Sequence, residues 1–167
     1  VVGSYVPRSS GQLAALLALD GVVGVEINVE ALLTNPSEEV RRTVERADHR
    51  LHSGADVVVY TSRGLVSGSD AQASLAIGRK VSEGLVAVVR ALSARPRYVL
   101  AKGGITSSDV ATQGLDVQRA LVRGQILPGV PVWQLGPESR HPGMPYIVFP
   151  GNVGGPQALA EIVTALR

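Results

Sequence analysis

The feature that most constrains this 167-residue chain is the order of its hydrophobic patterns. Through the first two thirds, short β-branched runs alternate with longer stretches whose apolar residues recur every three or four positions. The runs are V-V-G at the start, V-V-G-V-E-I-N-V from Val22, D-V-V-V-Y-T-S from Asp56 and R-Y-V-L-A from Arg97. Between them lie helical stripes. The first holds Leu13, Leu16 and Leu17 within residues 9–19, with Gly21 as a stop. The second holds Val40, Val44, Ala47 and Leu51, and the third, from about Ser69, holds Val81, Leu85, Val88, Val89 and Leu92. Strands separated by helices pair in parallel through crossovers that cover the sheet. The expected fold is therefore α/β: a three-layer sandwich with a mixed, mainly parallel sheet and helices on both faces.

The last third makes the sheet mixed. Residues 117–135 read as two strands joined by Pro128-Gly129, residues 136–145 as a loop, and Tyr146 to Phe149 as a final strand. Pro156 opens a closing helix with Leu159, Ile162, Val163 and Leu166 on its face. Two shorter signals complete the pass. N-P-S-E, from Asn35, offers a cap, a first-turn proline and a Glu38 placed to reach back. Residues 107–113 form a short helix that Gly114 ends. No repeat, low-complexity tract or linker interrupts the chain, so residues 1–167 are expected to form one domain.

Composition removes several function classes. There is no cysteine, which excludes disulfides, thiolate chemistry and Cys-based metal sites. Aromatic residues are only 4% and the net charge only +2, without a Lys/Arg run, so neither stacking platform nor phosphate-tracking patch for nucleic acid is present. No apolar run approaches the roughly 18–20 residues of a membrane span. The chain opens V-V-G-S-Y within a strand-like run and reads as the excised part of a longer protein.

In open α/β sheets, ligands sit beyond the carboxyl ends of the strands. Three such ends pair glycine with small polar residues: Gly3-Ser4, G-G-I-T-S at Gly103 to Ser107, and P-G-N-V-G-G at Pro150 to Gly155. Without a Cβ the backbone approaches a ligand closely and can aim its N–H groups at an anion. Any one run alone is more readily a structural turn; three at three strand ends point to a ligand site. The usual phosphate fingerprints, G-x-x-x-x-G-K-[ST] and G-x-G-x-x-G after a strand, are absent, as is the G-x-S-x-G hydrolase elbow. Lys102 either meets a phosphate or is a solvated loop lysine. His49 and His52, three apart on a helix, are read as its wet face before a metal pair. His141 lies in a loop that could close on a ligand or simply cover the surface. Arg63 follows a strand end, and Asp109 and Asp116 suit capping or turn roles better than acid chemistry.

Taken in order, G-S-Y-V-P-R-S-S-G-Q-L, K-G-G-I-T-S-S-D-V-A, L-P-G-V-P-V and P-G-N-V-G-G resemble the C-terminal nucleotide-binding domain of the four-carbon acid sugar kinases, which include threonate, erythronate and 3-oxo-tetronate kinases. The resemblance covers essentially the whole chain. It implies a cytoplasmic enzyme that uses ATP and Mg²⁺ to phosphorylate the terminal hydroxyl of a four-carbon sugar acid. It also implies a partner, the protein's own N-terminal acid-binding domain with an Asp-Asp-x-Thr-Gly-Ala type motif, which this chain lacks, and a homodimer. Carried over by motif, the nucleotide contacts are Ser4, Gly103, Gly104, Ile105, Thr106 and Gly151; Ser107, Asn152 and Gly154 are added on geometric grounds. One departure is that many members carry lysine shortly before the late G-N-x-G, where this chain reads V-F-P-G-N. That bears on the γ-phosphate grip, for which Lys102 is a candidate substitute. The rival expectation is a non-catalytic module that senses a nucleotide or phosphorylated metabolite. A weaker third is an interaction domain whose glycines only make turns.

Overall fold

The computed structural model describes residues 1–4, 6–64, 66 and 68–167; Tyr5 of the first motif lies outside them. The elements run α1 (Pro7–Leu17), β1 (Val22–Ile27), α2 (Val29–Thr34), α3 (Pro36–His52), β2 (Asp56–Thr61), α4 (Ala71–Ala91), β3 (Val99–Lys102), α5 (Gly104–Asp109), a π-helical turn (Val110–Gly114), β4 (Ala120–Leu127), β5 (Val130–Leu135), β6 (Pro145–Phe149) and α6 (Ala158–Leu166). The expected α/β class is what forms.

The sheet is two ladders joined by the start of the chain. β1 and β2 pair in parallel, and a four-stranded ladder follows in the order β3-β6-β5-β4. Val2 bridges both, parallel to Tyr60 of β2 and to Lys102 of β3. Its N–H donates to Val59 and its carbonyl accepts from Thr61, while the Val1 carbonyl accepts from Lys102. The first residues thus occupy the centre of the sheet. β3 and β6 are parallel; β5 is antiparallel to both β6 and β4.

Successive strand side chains point to opposite faces, and the core divides accordingly. On one face α1 and α6 set Leu13, Leu16, Leu159 and Ile162 against Val58, Leu100, Ile147 and Phe149. On the other, α2, α3 and α4 set Leu32, Ala47, Leu85 and Val88 against Val25, Ile27 and Val59. A third cluster on that face joins Val110 and Leu115 to Ala101, Leu135 and Tyr146.

Three local readings differ from the sequence expectation. Val29 does not extend β1 but opens α2, because the Asn28 side chain accepts from the Ala31 N–H at 2.9 Å and caps a new helix. The helix expected from Ser107 begins at Gly104 and passes into the π turn, with the Ser107 N–H donating to the Gly103 carbonyl. Asn35 caps α3, but Glu38 does not reach back. The Asn35 N–H is committed to Ala31, and the Glu38 carboxylate accepts from Arg41 at 2.6 Å.

Two carboxylates tie α3 to its surroundings. Glu39, buried, accepts from the Asn28 N–H and from Arg42. Asp48 accepts from the backbone N–H groups of Ser93 and Ala94 and from the Ser93 hydroxyl. Burial pushes both upward. The bonds from Arg42 and Asn28 outweigh it at Glu39, and those from Ser93 and Ala94 at Asp48, so both stay below their ordinary values. A depressed folded-state carboxyl contributes stability above its unfolded range and loses it as pH falls through the folded value. Urea midpoints measured between pH 7 and pH 2.5 should therefore fall on the acid side, and the fall should be shallower in Glu39→Gln and Asp48→Asn. Parallel acid limbs in wild type and variants would show that these groups do not set it.

Candidate functional site

Beyond the carboxyl ends of the central strands lies a cleft of about 610 Å³, within the size range of small-molecule sites. Four strand ends converge on it. The first segment supplies Gly3 and Ser4, β2 supplies Thr61 and Ser62, β3 leads into Gly103 to Thr106, and β6 is followed by Gly151. The opposite wall comes from α4, with Ser74, Ile77, Gly78, Val81, Ser82 and Leu85. Val29 and Val66 add to its apolar side.

The glycine side is shaped by close approach. A Cβ on Gly3 would stand 2.5 Å from the Thr106 hydroxyl, so only glycine lets the first segment run against that residue. Gly103 has φ +113, which turns the chain from β3 directly into α5. Its own N–H donates to Phe149 and is spent on the sheet. The amides of Gly104, Ile105 and Thr106 follow it and have no backbone partner among the described residues. α5 is tied down from beneath: the Ser107 hydroxyl donates to the Ala101 carbonyl, and the Tyr146 hydroxyl donates to the Ser107 carbonyl, both at 2.7 Å.

Of the nine candidate residues, Ser4, Gly103, Gly104, Ile105, Thr106 and Gly151 line the cleft together. Ser107, Asn152 and Gly154 do not. Ser107 is buried and faces the sheet. The Asn152 carbonyl accepts from Arg8, and a Cβ on Gly154 would meet Ala158 at 2.5 Å, which marks a packing position. Sequence reasoning missed the Thr61-Ser62 end of β2 and the Ile77, Val81 wall. The first carries a related signal, two hydroxyls with a glycine nearby at a strand end, but in the reverse order to the glycine-then-hydroxyl runs. The second continues the apolar stripe of α4 past the point where the sheet can cover it.

Lys102 is neither solvated nor in a loop. It is the last residue of β3, fully buried, and its Nζ donates to the carbonyls of Pro150 and Gly151. Burial, with a smaller push from Arg8, draws its ammonium down to about 8. Arg63 does not line the cleft; it donates to the carbonyls of Thr61 and Ser4 and so ties two lining strand ends together. Asp109 accepts from Ser82, which does line it, and Asp116 pairs with Arg90. His49 and His52 are on the exposed side of α3, and no cluster of three metal-ligating side chains occurs among the described residues. His141 lines a separate cavity of about 280 Å³ near the opposite ends of β2 and β3.

Among the described residues, no charged side chain lines the cleft. It can offer an anion amide hydrogens and hydroxyls, and a flat apolar group the wall of α4. A nucleotide has a part of each kind. The family model described as the nucleotide-binding C-terminal domain matches residues 1–159. The chain belongs to this family. It is the domain whose motifs the sequence resembles in the four-carbon acid sugar kinases. No curated protein matches the chain. Among solved structures, a domain of unknown function from Bordetella bronchiseptica, crystallised with citrate as a domain-swapped dimer, is 21% identical with a TM-score of 0.73; the match covers 99% of this chain and 40% of that one. A Haemophilus influenzae protein is 17% identical with a TM-score of 0.76, covering 99% and 39% respectively. These likenesses show the fold alone; the chain spans about two fifths of either protein. No described helix is long and apolar enough to cross a membrane.

Proposed function

We propose that this domain holds ATP for a kinase that transfers the γ-phosphate to the terminal hydroxyl of a four-carbon acid sugar. The single observation that carries the reading is the meeting of Ser4, Gly103, Gly104, Ile105, Thr106 and Gly151, far apart in sequence, around one cleft. In this reading the nucleobase rests on Ile77, Val81 and Val29, and the phosphates face the glycine side. The described lining offers neutral oxygens, such as those of Thr61, Ser62 and Thr106. Mg²⁺ would therefore arrive with the triphosphate and be held chiefly by phosphate oxygens and water. Phosphoryl transfer depends on positioning and charge neutralisation more than on covalent chemistry by the protein.

No carboxylate stands among the described lining residues, and in this reading the general base and the acid-binding groups come from another domain of a longer protein. Residues 1–167 would then be one nucleotide-binding domain, the C-terminal part of a two-domain cytoplasmic kinase. The domain-swapped dimer of the Bordetella relative supports a homodimer. The chain alone is expected to bind MgATP without turning it over. Calorimetric titration tests this: no heat at millimolar MgATP would remove the reading. Thr106→Val deletes one hydroxyl from the lining and should weaken ATP about three- to tenfold, the cost of one hydrogen bond. Unchanged affinity would take Thr106 out of the site. A sensor would instead bind as tightly yet give no ADP when the chain is joined to its acid-binding domain and supplied with a tetronate-type acid.

A further inference from the structure

The turn from Pro150 to Gly155 is held by its carbonyl groups, from beneath. Lys102 Nζ donates to Pro150 at 3.3 Å and to Gly151 at 3.1 Å. Arg8 donates to Asn152 at 2.8 Å. Gln12 Nε2 faces Val153, Gly154 and Gly155 at 3.1, 3.4 and 2.9 Å. Six consecutive carbonyls therefore point at three side chains, and two of those, Lys102 and Gln12, are 0% exposed. The Gln12 orientation follows from its surroundings: turned over, its oxygen would face three carbonyl oxygens. The Lys102 ammonium also lies 4.2 Å from the centre of the buried Phe149 ring. A fully buried lysine is rare because taking its charge from water is costly. Here, among the described residues, its hydrogen bonds go to this turn.

In a trans peptide, the C=O of one residue and the N–H of the next point in opposite directions. The described chain contains no cis peptide. Pinning the Pro150 and Gly151 carbonyls to Lys102 thus turns the N–H groups of Gly151 and Asn152 away from the core. Neither donates to a described residue, and Gly151 lines the cleft. Successive amides presented outward form a concavity that binds anions.

We propose that Lys102 and Gln12 are positioning residues that hold this turn with its carbonyls inward and its amides outward, so that the amide of Gly151, the turn residue that lines the cleft, meets the phosphate end of the nucleotide, with the Asn152 amide next to it in the chain. The proposal rests on the nucleotide reading of the cleft. Lys102 acts through the turn and does not itself touch phosphate.

The test compares MgATP with adenosine, which lacks the phosphates, by calorimetry on wild type, Lys102→Met and Gln12→Leu. Each variant should lose about tenfold in ATP affinity, the equivalent of one or two anchoring hydrogen bonds, with adenosine affinity unchanged. Wild-type ATP affinity in both variants overturns the proposal, and so does an equal loss for both ligands, which marks general damage to the fold. Should the variants not fold, amide shifts in ¹⁵N-labelled wild type decide. Inorganic tripolyphosphate should move the Gly151 and Asn152 signals. Still signals in a protein that binds ATP sink the positioning role alone. A wild type that binds no ATP sinks the nucleotide reading, and this proposal with it.

Discussion

Gly104→Asp should lower MgATP affinity at least about a hundredfold, because like charges brought together in a binding site cost several kcal/mol. The substitution separates binding from folding. A Cβ on Gly104 meets nothing within 4 Å, so the side chain has room. The residue opens α5, where a carboxylate is compatible with the exposed N–H groups of a first turn. The melting temperature should therefore stay within about 2 °C, as for an ordinary surface substitution. In the proposed complex, however, the new charge stands beside Gly103, Thr106 and Gly151, where the phosphates would lie. Gly104→Ala adds volume without charge and should lose less. Affinity within threefold of wild type in the aspartate variant would show that phosphate does not approach the entrance of α5.

Phe149→Ala should destabilise the fold by about 3–5 kcal/mol, the usual range for truncating a buried phenylalanine. Phe149 is 0% exposed and belongs to the cluster that α1 and α6 press onto the sheet. Truncation leaves a cavity within that cluster, and it removes the ring beneath the Lys102 ammonium. A desolvated cation over an aromatic ring contributes up to about 2 kcal/mol, so the upper half of the range is expected. For a domain of this size the melting temperature should drop by roughly 6–20 °C. Phe149→Leu, which keeps most of the volume, should recover much of it. A urea-derived loss under about 1 kcal/mol would mean that the cluster closes over the gap.

Much of this was legible in the residues, and the exceptions have physical reasons. Period-two and period-3.6 patterns located β2, α4 and the β4–β5 hairpin, because burial on one face writes itself into spacing. The G-G-I-T run could be placed at a strand end from its neighbours. Asn28 was misleading: V-E-I-N-V continues a β-branched run, and only a side-chain cap to Ala31 reveals that the strand has stopped. The α4 wall was hidden for another reason. Ile77 and Val81 look like core, and only the end of the sheet decides that they face open space. Lys102 was the largest surprise. Nothing local distinguishes a solvated lysine from a buried one whose acceptors are the carbonyls of Pro150 and Gly151.

The place of Val2 between β2 and β3 bears on how the molecule assembles. Gly3 meets Thr61 across 58 positions and Val1 meets Leu100 across 99, so the seam between the two ladders is closed by distant partners. Loop-closure entropy makes such pairings late and slow. During synthesis Val2 can pair with β2 as soon as that strand exists, but its other edge, apolar, waits until β3 has been made. During refolding, pulse-labelled exchange should find the Val2 amide among the last to be protected, well after those of the β4–β5 hairpin.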